Sequence, residues 1–211
     1  KSEYETLMAE YAQNYAAWTP YSKLRQYMNE GVVGSPLIAH AAGLISLEDK
    51  LLKNNTPAAD LKKATDAATA NRKGFLEHED LPSDEKILAA VCMMFYNDID
   101  KSQHPIGFYE ALKANYGDLK DEATYKKWAH DVFSKTMILD ETKWNAFVAN
   151  PDAAALQADP AFAFASAFVK NYNTKYAPLY TQFVNRNNEL GRSYMKGIMH
   201  PCYTVALAKA I

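Results

Sequence analysis

The sequence predicts an all-α fold: an irregular multi-helix bundle whose long first and last helices pack antiparallel. Three observations predict it. Alanine is abundant and β-branched residues are sparse, which favours helix over strand along nearly the whole chain. Fourteen Tyr and three Trp stand against eight Gly, a composition of well-packed helices with few tight turns. The stretch from Asp159 to Met199 reads as one amphipathic helix, with Phe168, Tyr172, Tyr176, Leu179, Phe183, Leu190, Tyr194 and Ile198 at the spacing of a single face. A helix of about 40 residues would be about 60 Å long, longer than a small domain is wide, so it requires partners.

The elements follow in order. A first helix is predicted from Glu3 to Asn29, with Tyr4, Met8, Tyr11, Tyr15 and Trp18 on one stripe, continued by Tyr21, Leu24 and Met28; Pro20 should kink or break it. After Gly31 to Gly34, Ser35-Pro36 reads as an N-cap followed by proline at the first helical position, opening a helix to about Lys53. Asn54 to Pro57 forms a turn, and a polar, exposed helix runs on to about Glu79. Ser83 is the predicted cap of the next helix, with Asp84 and Glu85 near its positive end and Ile87, Leu88, Val91, Met94 and Phe95 in the core. Shorter helices are predicted over 105–116, 121–137 and 140–149. Asn150-Pro151 closes the last of these, and Asp159-Pro160 opens the long final helix. That makes about seven or eight helices and no strand.

Composition excludes several classes of function. Charged residues make up 23% of the 211 and the net charge is -2, so nothing indicates a nucleic-acid partner or an anionic membrane surface. No apolar run approaches the roughly 18 residues of a membrane span, and no basic-then-apolar leader is visible. Cys92 and Cys202 are the only cysteines, too few for a disulfide framework and without zinc-site spacing.

Chemical motifs are few. Gly34-Ser35-Pro36 echoes the loop that presents a nucleophilic serine, but a helical pattern follows it, and a helix cap is the better reading of Ser35. The histidines His40, His78, His104, His130 and His200 show no paired helical spacing, and the Glu77 to Asp80 cluster places adjacent residues in different directions. His104, before Pro105, reads as a turn residue. Asp98 with Asp100, and Asp118 with Asp121, lack the glycine and closing glutamate of a calcium loop and read as solvated turns. The Glu-x-x-His pairs of a metal-carboxylate bundle are missing as well. No catalytic, cofactor-binding or metal-binding residue is expected within the chain, and no cofactor.

A resemblance adds a function to this reading. Lys86 to Pro105 (KILAAVCMMFYNDIDKSQHP), Asp131 to Pro151 (DVFSKTMILDETKWNAFVANP), DPAFAFA from Asp159 and Gly191-Arg-Ser-Tyr-Met-Lys-Gly-Ile-Met199 occur in the order and spacing of the helical region of the bacterial dipeptidyl-peptidase 7 and 11 family, serine exopeptidases. The chain resembles that region most closely from 83 to 199. The resemblance implies that 1–211 is a single helical cap domain belonging to a larger chymotrypsin-like peptidase. The histidine and aspartate of the triad would lie before it and the serine after it. It further implies peptide substrates bound through the catalytic barrel, a possible homodimer of the parent enzyme and a periplasmic or cell-surface location. After Met199, HPCYTVALAKAI departs from the family's pattern. A swinging cap would flex near Pro20 and Pro178, packed by Trp18, Tyr21, Tyr176 and Tyr180, and a cap taken from its barrel is expected to expose an apolar patch. The alternative is a free-standing extracytoplasmic helical module binding peptide or small ligand in an interhelical groove.

Overall fold

The computed structural model describes the backbone of residues 3–53 and 55–208, with side chains for 4–53 and 55–197. Among the described residues every regular element is helical, as the composition predicts. Contacts divide the chain into two compact units: one formed by the chain up to Arg25 together with the chain from Asn173, the other Gln26–Tyr172.

In the first unit, α1 (Glu3–Gln26) lies against a helix near the other end of the chain, Ala177–Ala208. Tyr4 meets Tyr194, Trp18 meets Tyr180, and Tyr21 meets Phe183 with ring centroids 5.3 Å apart, so the pair is antiparallel. Asn14 donates to the Phe183 carbonyl at 3.2 Å, and Arg186 pairs with Glu10 at 2.9 Å. The predicted break at Pro20 is absent, and α1 continues through it. Pro20 removes one helical donor, while the neighbouring Thr19 hydroxyl donates to the Tyr15 carbonyl at 2.8 Å. The N-terminal stripe is not fully core: Tyr4, Met8 and Tyr15 are exposed. Ile198, the last position of the predicted C-terminal stripe, and Cys202 and His200 lie outside the described side chains, as Asn54 lies outside the described residues.

The second unit begins with a π-helical turn, Tyr27–Gly31, and a 3₁₀ turn, Val32–Gly34. Ser35 caps α2 (Pro36–Gly43), accepting from the Ile38 amide, as the Ser-Pro pair predicts. The predicted single helix to Lys53 is two, because Gly43 weakens it and the chain turns at Leu44 before α3 (Ile45–Leu52). The polar α4 (Ala58–His78) buries only Thr65, Ala68 and Arg72. Helix α5 (Leu81–Asp98) starts two residues before the predicted Ser83 cap. Pro82 is preorganised for a first turn, and Ser83 instead donates to Asp80 at 2.6 Å.

Beyond a 3₁₀ turn at Lys101–Gln103 come α6 (Phe108–Tyr116), α7 (Glu122–Lys135) and α8 (Glu141–Ala149). A short α9 (Ala153–Ala158), which lies between the predicted stop at Asn150-Pro151 and the predicted start at Asp159-Pro160, precedes α10 (Pro160–Asn171). The predicted long final helix is interrupted: a second π turn, Tyr172–Tyr176, separates α10 from α11 (Ala177–Ala208). Both passages of the chain between units, after Arg25 and after Tyr172, fall beside a π turn. Such turns widen the helical ladder and mark bends and functional positions.

The core of the second unit is aromatic. Phe164 and Phe168 are 4.3 Å apart, Phe95 and Phe108 each sit 5.0 Å from Phe168, and Trp128 sits 4.9 Å from Phe164. These contacts join α5, α6, α7 and α10. Each buried phenylalanine contributes about 1.5–3 kcal/mol of transfer free energy. Of the predicted α5 core, Leu88 and Phe95 are buried, but Ile87 and Met94 are 49% and 47% exposed and Val91 is half-buried. The helix packs along α7, and its buried residues include Leu88, Ala89, Cys92 and Phe95. Its sequence is apolar nearly all round, so spacing alone selects no face.

Candidate functional site

The residues that drew attention in the sequence occupy structural positions. Ser35 is fully buried at the start of α2, beside Asp84, whose carboxylate accepts from the Leu37 amide at 2.9 Å. Burial pushes the Asp84 carboxyl above its ordinary range, against the Leu37 and Ser35 hydrogen bonds that pull it down. Asp84 thus serves the N-terminus of a helix other than its own. Asp100 and Asp121 cap helical turns by accepting from the Ser102 and Ala123 amides, and Asp118 accepts from Lys120 in a turn. Asp98 accepts from the Tyr27 hydroxyl, and that bond, with burial second, pushes the phenol up to about 12.

His104 does serve a turn, its Nε2 lying 2.9 Å from the Ile99 carbonyl and its ring 4.8 Å from Tyr109. His130 faces Glu85 at 3.2 Å, and His78 is exposed at the end of α4. The Cys92 thiol is wholly buried, and burial raises its pKa so far that it stays protonated and inert. Among the described residues no three of His, Cys, Asp and Glu gather as metal ligands, and no single helix is long and apolar enough to cross a membrane. Trp18 of α1 meets Tyr180 of α11, and Tyr21 of α1 meets Tyr176 at the end of the second π turn.

A cleft with a volume of about 630 Å³ lies between α2 and α3 on one side and α4 on the other. Small residues hold it open: Ala39 and Gly43 face Ala64, Ala67 and Ala68, and a Cβ added at Gly43 would meet nothing within 4 Å. Leu44 and Leu47 supply the deeper apolar wall, and Lys50, Asp60, Lys63 and Asn71 the polar edge. His40 also lines it, stacked on Phe75 at 5.3 Å, and its Nε2 is buried with no hydrogen-bond partner among the described residues. Burial first, then the nearby Arg72 charge, lowers the His40 pKa, so the ring is neutral near pH 7.

Three buried polar residues that carry the frame around this cleft escaped the sequence reading. Arg72 donates from Nε to the Ile138 carbonyl at 2.6 Å and lies over the Trp144 ring at 5.5 Å. Glu48 accepts from Gln157 at 2.7 Å and pairs with Lys170, joining α3 to α9 and α10. Asp159, recognised only as a helix opener, also accepts from the Thr136 hydroxyl and the Met137 amide. Their partners are 66 to 122 positions away for Arg72 and Glu48, a distance no local pattern encodes.

Comparison with known proteins gives a consistent result. The family described as Peptidase S46 matches residues 1–204. An Asp/Glu-specific dipeptidyl-peptidase of Flavobacterium psychrophilum is 26% identical over 200 residues, which cover 93% of this chain but 26% of the relative's length.

Proposed function

The chain belongs to the Peptidase S46 family, and from that premise we propose that it is the α-helical cap domain of a serine dipeptidyl-peptidase that releases dipeptides from the free N-termini of peptides. The observation that carries the reading is the family match along nearly the whole chain, set beside a relative of which this chain spans only 26%. In this reading the catalytic triad is contributed by the rest of the peptidase, and the helical domain restricts entry to a peptide's free end and excludes water on closure. The parent enzyme acts in the periplasm or at the cell surface, with homodimerisation as a further element of the proposal.

Two features of the chain support a cap. Ile87, Val91 and Met94 follow one another along one face of α5 and remain partly or largely exposed, the kind of apolar stripe a second body covers. The π turns beside Arg25 and Tyr172 place pliable helical geometry where the chain passes between its two units, a more local basis for flexing than Pro20, through which α1 continues.

The test is hydrolysis of fluorogenic dipeptide substrates, Asp- and Glu-bearing ones included, by the 211-residue chain and by the full-length gene product. Activity confined to the full-length protein and abolished by a serine-directed inhibitor is the expected result. Activity in the 211-residue chain would overturn the cap assignment, and silence from both would overturn the peptidase reading in favour of a binding module.

A further inference from the structure

Lys50 is half-buried at the edge of the α3–α4 cleft, and Lys63 stands on the facing helix. Among the described residues neither lysine has a carboxylate within ion-pair distance, whereas Lys62, Lys126, Lys135, Lys143 and Lys170 each have one. Asp60 is the single acid on the same lining, so the cleft is locally cationic in a chain of net charge -2. Beneath that edge lies the apolar wall of Ala39, Leu44, Leu47, Ala64 and Ala68, and the volume of about 630 Å³ is that of a small-molecule site. A lysine ammonium at the rim of an apolar wall gains from an anion that also fills the wall, because the apolar part leaves water while the two charges pair.

We propose that this cleft binds an apolar carboxylate, the free C-terminal end of a short aliphatic peptide, with the carboxylate between Lys50 and Lys63 and an aliphatic side chain against Leu44 and Leu47. Neutral His40 adds no competing charge to the wall. The proposal stands independently of the peptidase reading.

The experiment uses the full-length protein and N-acetyl-leucyl-leucine, whose blocked amino group removes the feature that dipeptide release requires, with calorimetry as the readout. N-acetyl-leucyl-leucine amide and hexanoate are the comparison probes. Expected is saturable binding of the acid, at least about tenfold weaker binding of the amide, and a loss of about tenfold in each of Lys50→Gln and Lys63→Gln. Lys50→Arg should retain affinity. Ala67→Leu, which fills the cleft from an exposed helical position, should abolish binding while helical circular dichroism and the urea unfolding midpoint stay close to those of the unsubstituted protein. Hexanoate binding as tightly as the acetylated peptide would keep the carboxylate chemistry and identify a simple fatty acid as its source. Equal affinity for acid and amide, or unaltered affinity in both lysine-to-glutamine variants, would overturn the proposal. Saturable binding that survives Ala67→Leu would place the ligand elsewhere and overturn it equally.

Discussion

Replacing Asp159 by alanine should be among the most damaging single changes in the second unit. Its carboxylate is 5% exposed and collects donors from two parts of the chain. One oxygen accepts from the Ala161 and Phe162 amides at 3.0 and 3.1 Å, capping α10. The other accepts from the Met137 amide at 2.6 Å, and the Thr136 hydroxyl lies 2.9 Å from both. Loss of the cap costs about 1 kcal/mol. The Thr136 hydroxyl and Met137 amide, both on buried residues, would each lose a charged acceptor at about 1–3 kcal/mol.

The sum, discounted for overlap, is about 3–5 kcal/mol, or a fall in the urea midpoint of about 2 M for a transition of ordinary steepness. The assay is urea unfolding followed by helical circular dichroism and by tryptophan fluorescence, since Trp128 and Trp144 are both buried in this unit. Asp159→Asn keeps one acceptor for the cap but presents an amide donor to another donor, so its cost should fall between wild type and alanine. The comparison is Asp152→Ala, which removes an exposed cap accepting only from the Ala155 amide at 2.8 Å and should cost about 0.5–1 kcal/mol. If Asp159→Ala proves no worse than Asp152→Ala, the claim that the long-range bonds to Thr136 and Met137 dominate is refuted.

Three further expectations concern single side chains. His40 has a folded pKa below the ordinary 6.5, so the unfolded chain binds more protons and stability should fall as pH drops from about 7 to 5. His40→Phe, preserving the stack on Phe75 and removing the unpartnered nitrogen, should flatten that part of the profile in unfolding curves taken across the range, whereas an unchanged slope would assign it to His104, also lowered chiefly by burial. Asp84 is the opposite case: its carboxyl is raised above 3.8, so its contribution favours the fold at low pH and is lost as pH rises through the folded value. Asp84→Asn can still accept from Leu37 and sheds a buried charge, so thermal unfolding at pH 7 should show equal or higher stability, and a clear loss would count against burial disfavouring the Asp84 carboxylate. Ile87→Glu should change stability by less than about 0.5 kcal/mol, while Leu88→Ala, one position on and fully buried, should cost about 2–5 kcal/mol in the same denaturation assay; similar costs would mean that the buried face of α5 is misassigned.

Local chemistry made much of the fold legible. Ser35-Pro36 and Asp159-Pro160 each join a capping side chain to a preorganised first turn, and both open helices where the sequence places them. The helical character of the chain is equally local, set by propensity and spacing. Faces were less legible where a helix is apolar all round: α5 offers Ile87 and Met94 as readily as Leu88 and Phe95, and only packing against the neighbouring elements, α7 and α10 among them, selects between them. The same holds for Pro20 and for the uninterrupted helix expected after Asp159, because continuity through a proline and insertion of a π turn depend on what the neighbouring turns meet.

The candidate cleft was not legible at all. Its lining comes from α2, α3 and α4, and each contribution alone is an ordinary run of alanines, leucines and lysines. The sequence by itself determined that this chain is helical, where its caps lie and, through the order of its segments, which peptidase family it resembles, because these depend on residues close together or on motifs in series. Tertiary structure decided which apolar faces are buried, which carboxylates become hubs, and that two lysines without an ion-pair partner among the described residues flank one apolar cleft. Burial and charge pairing are properties of groups brought together across tens of residues, and no local pattern records them.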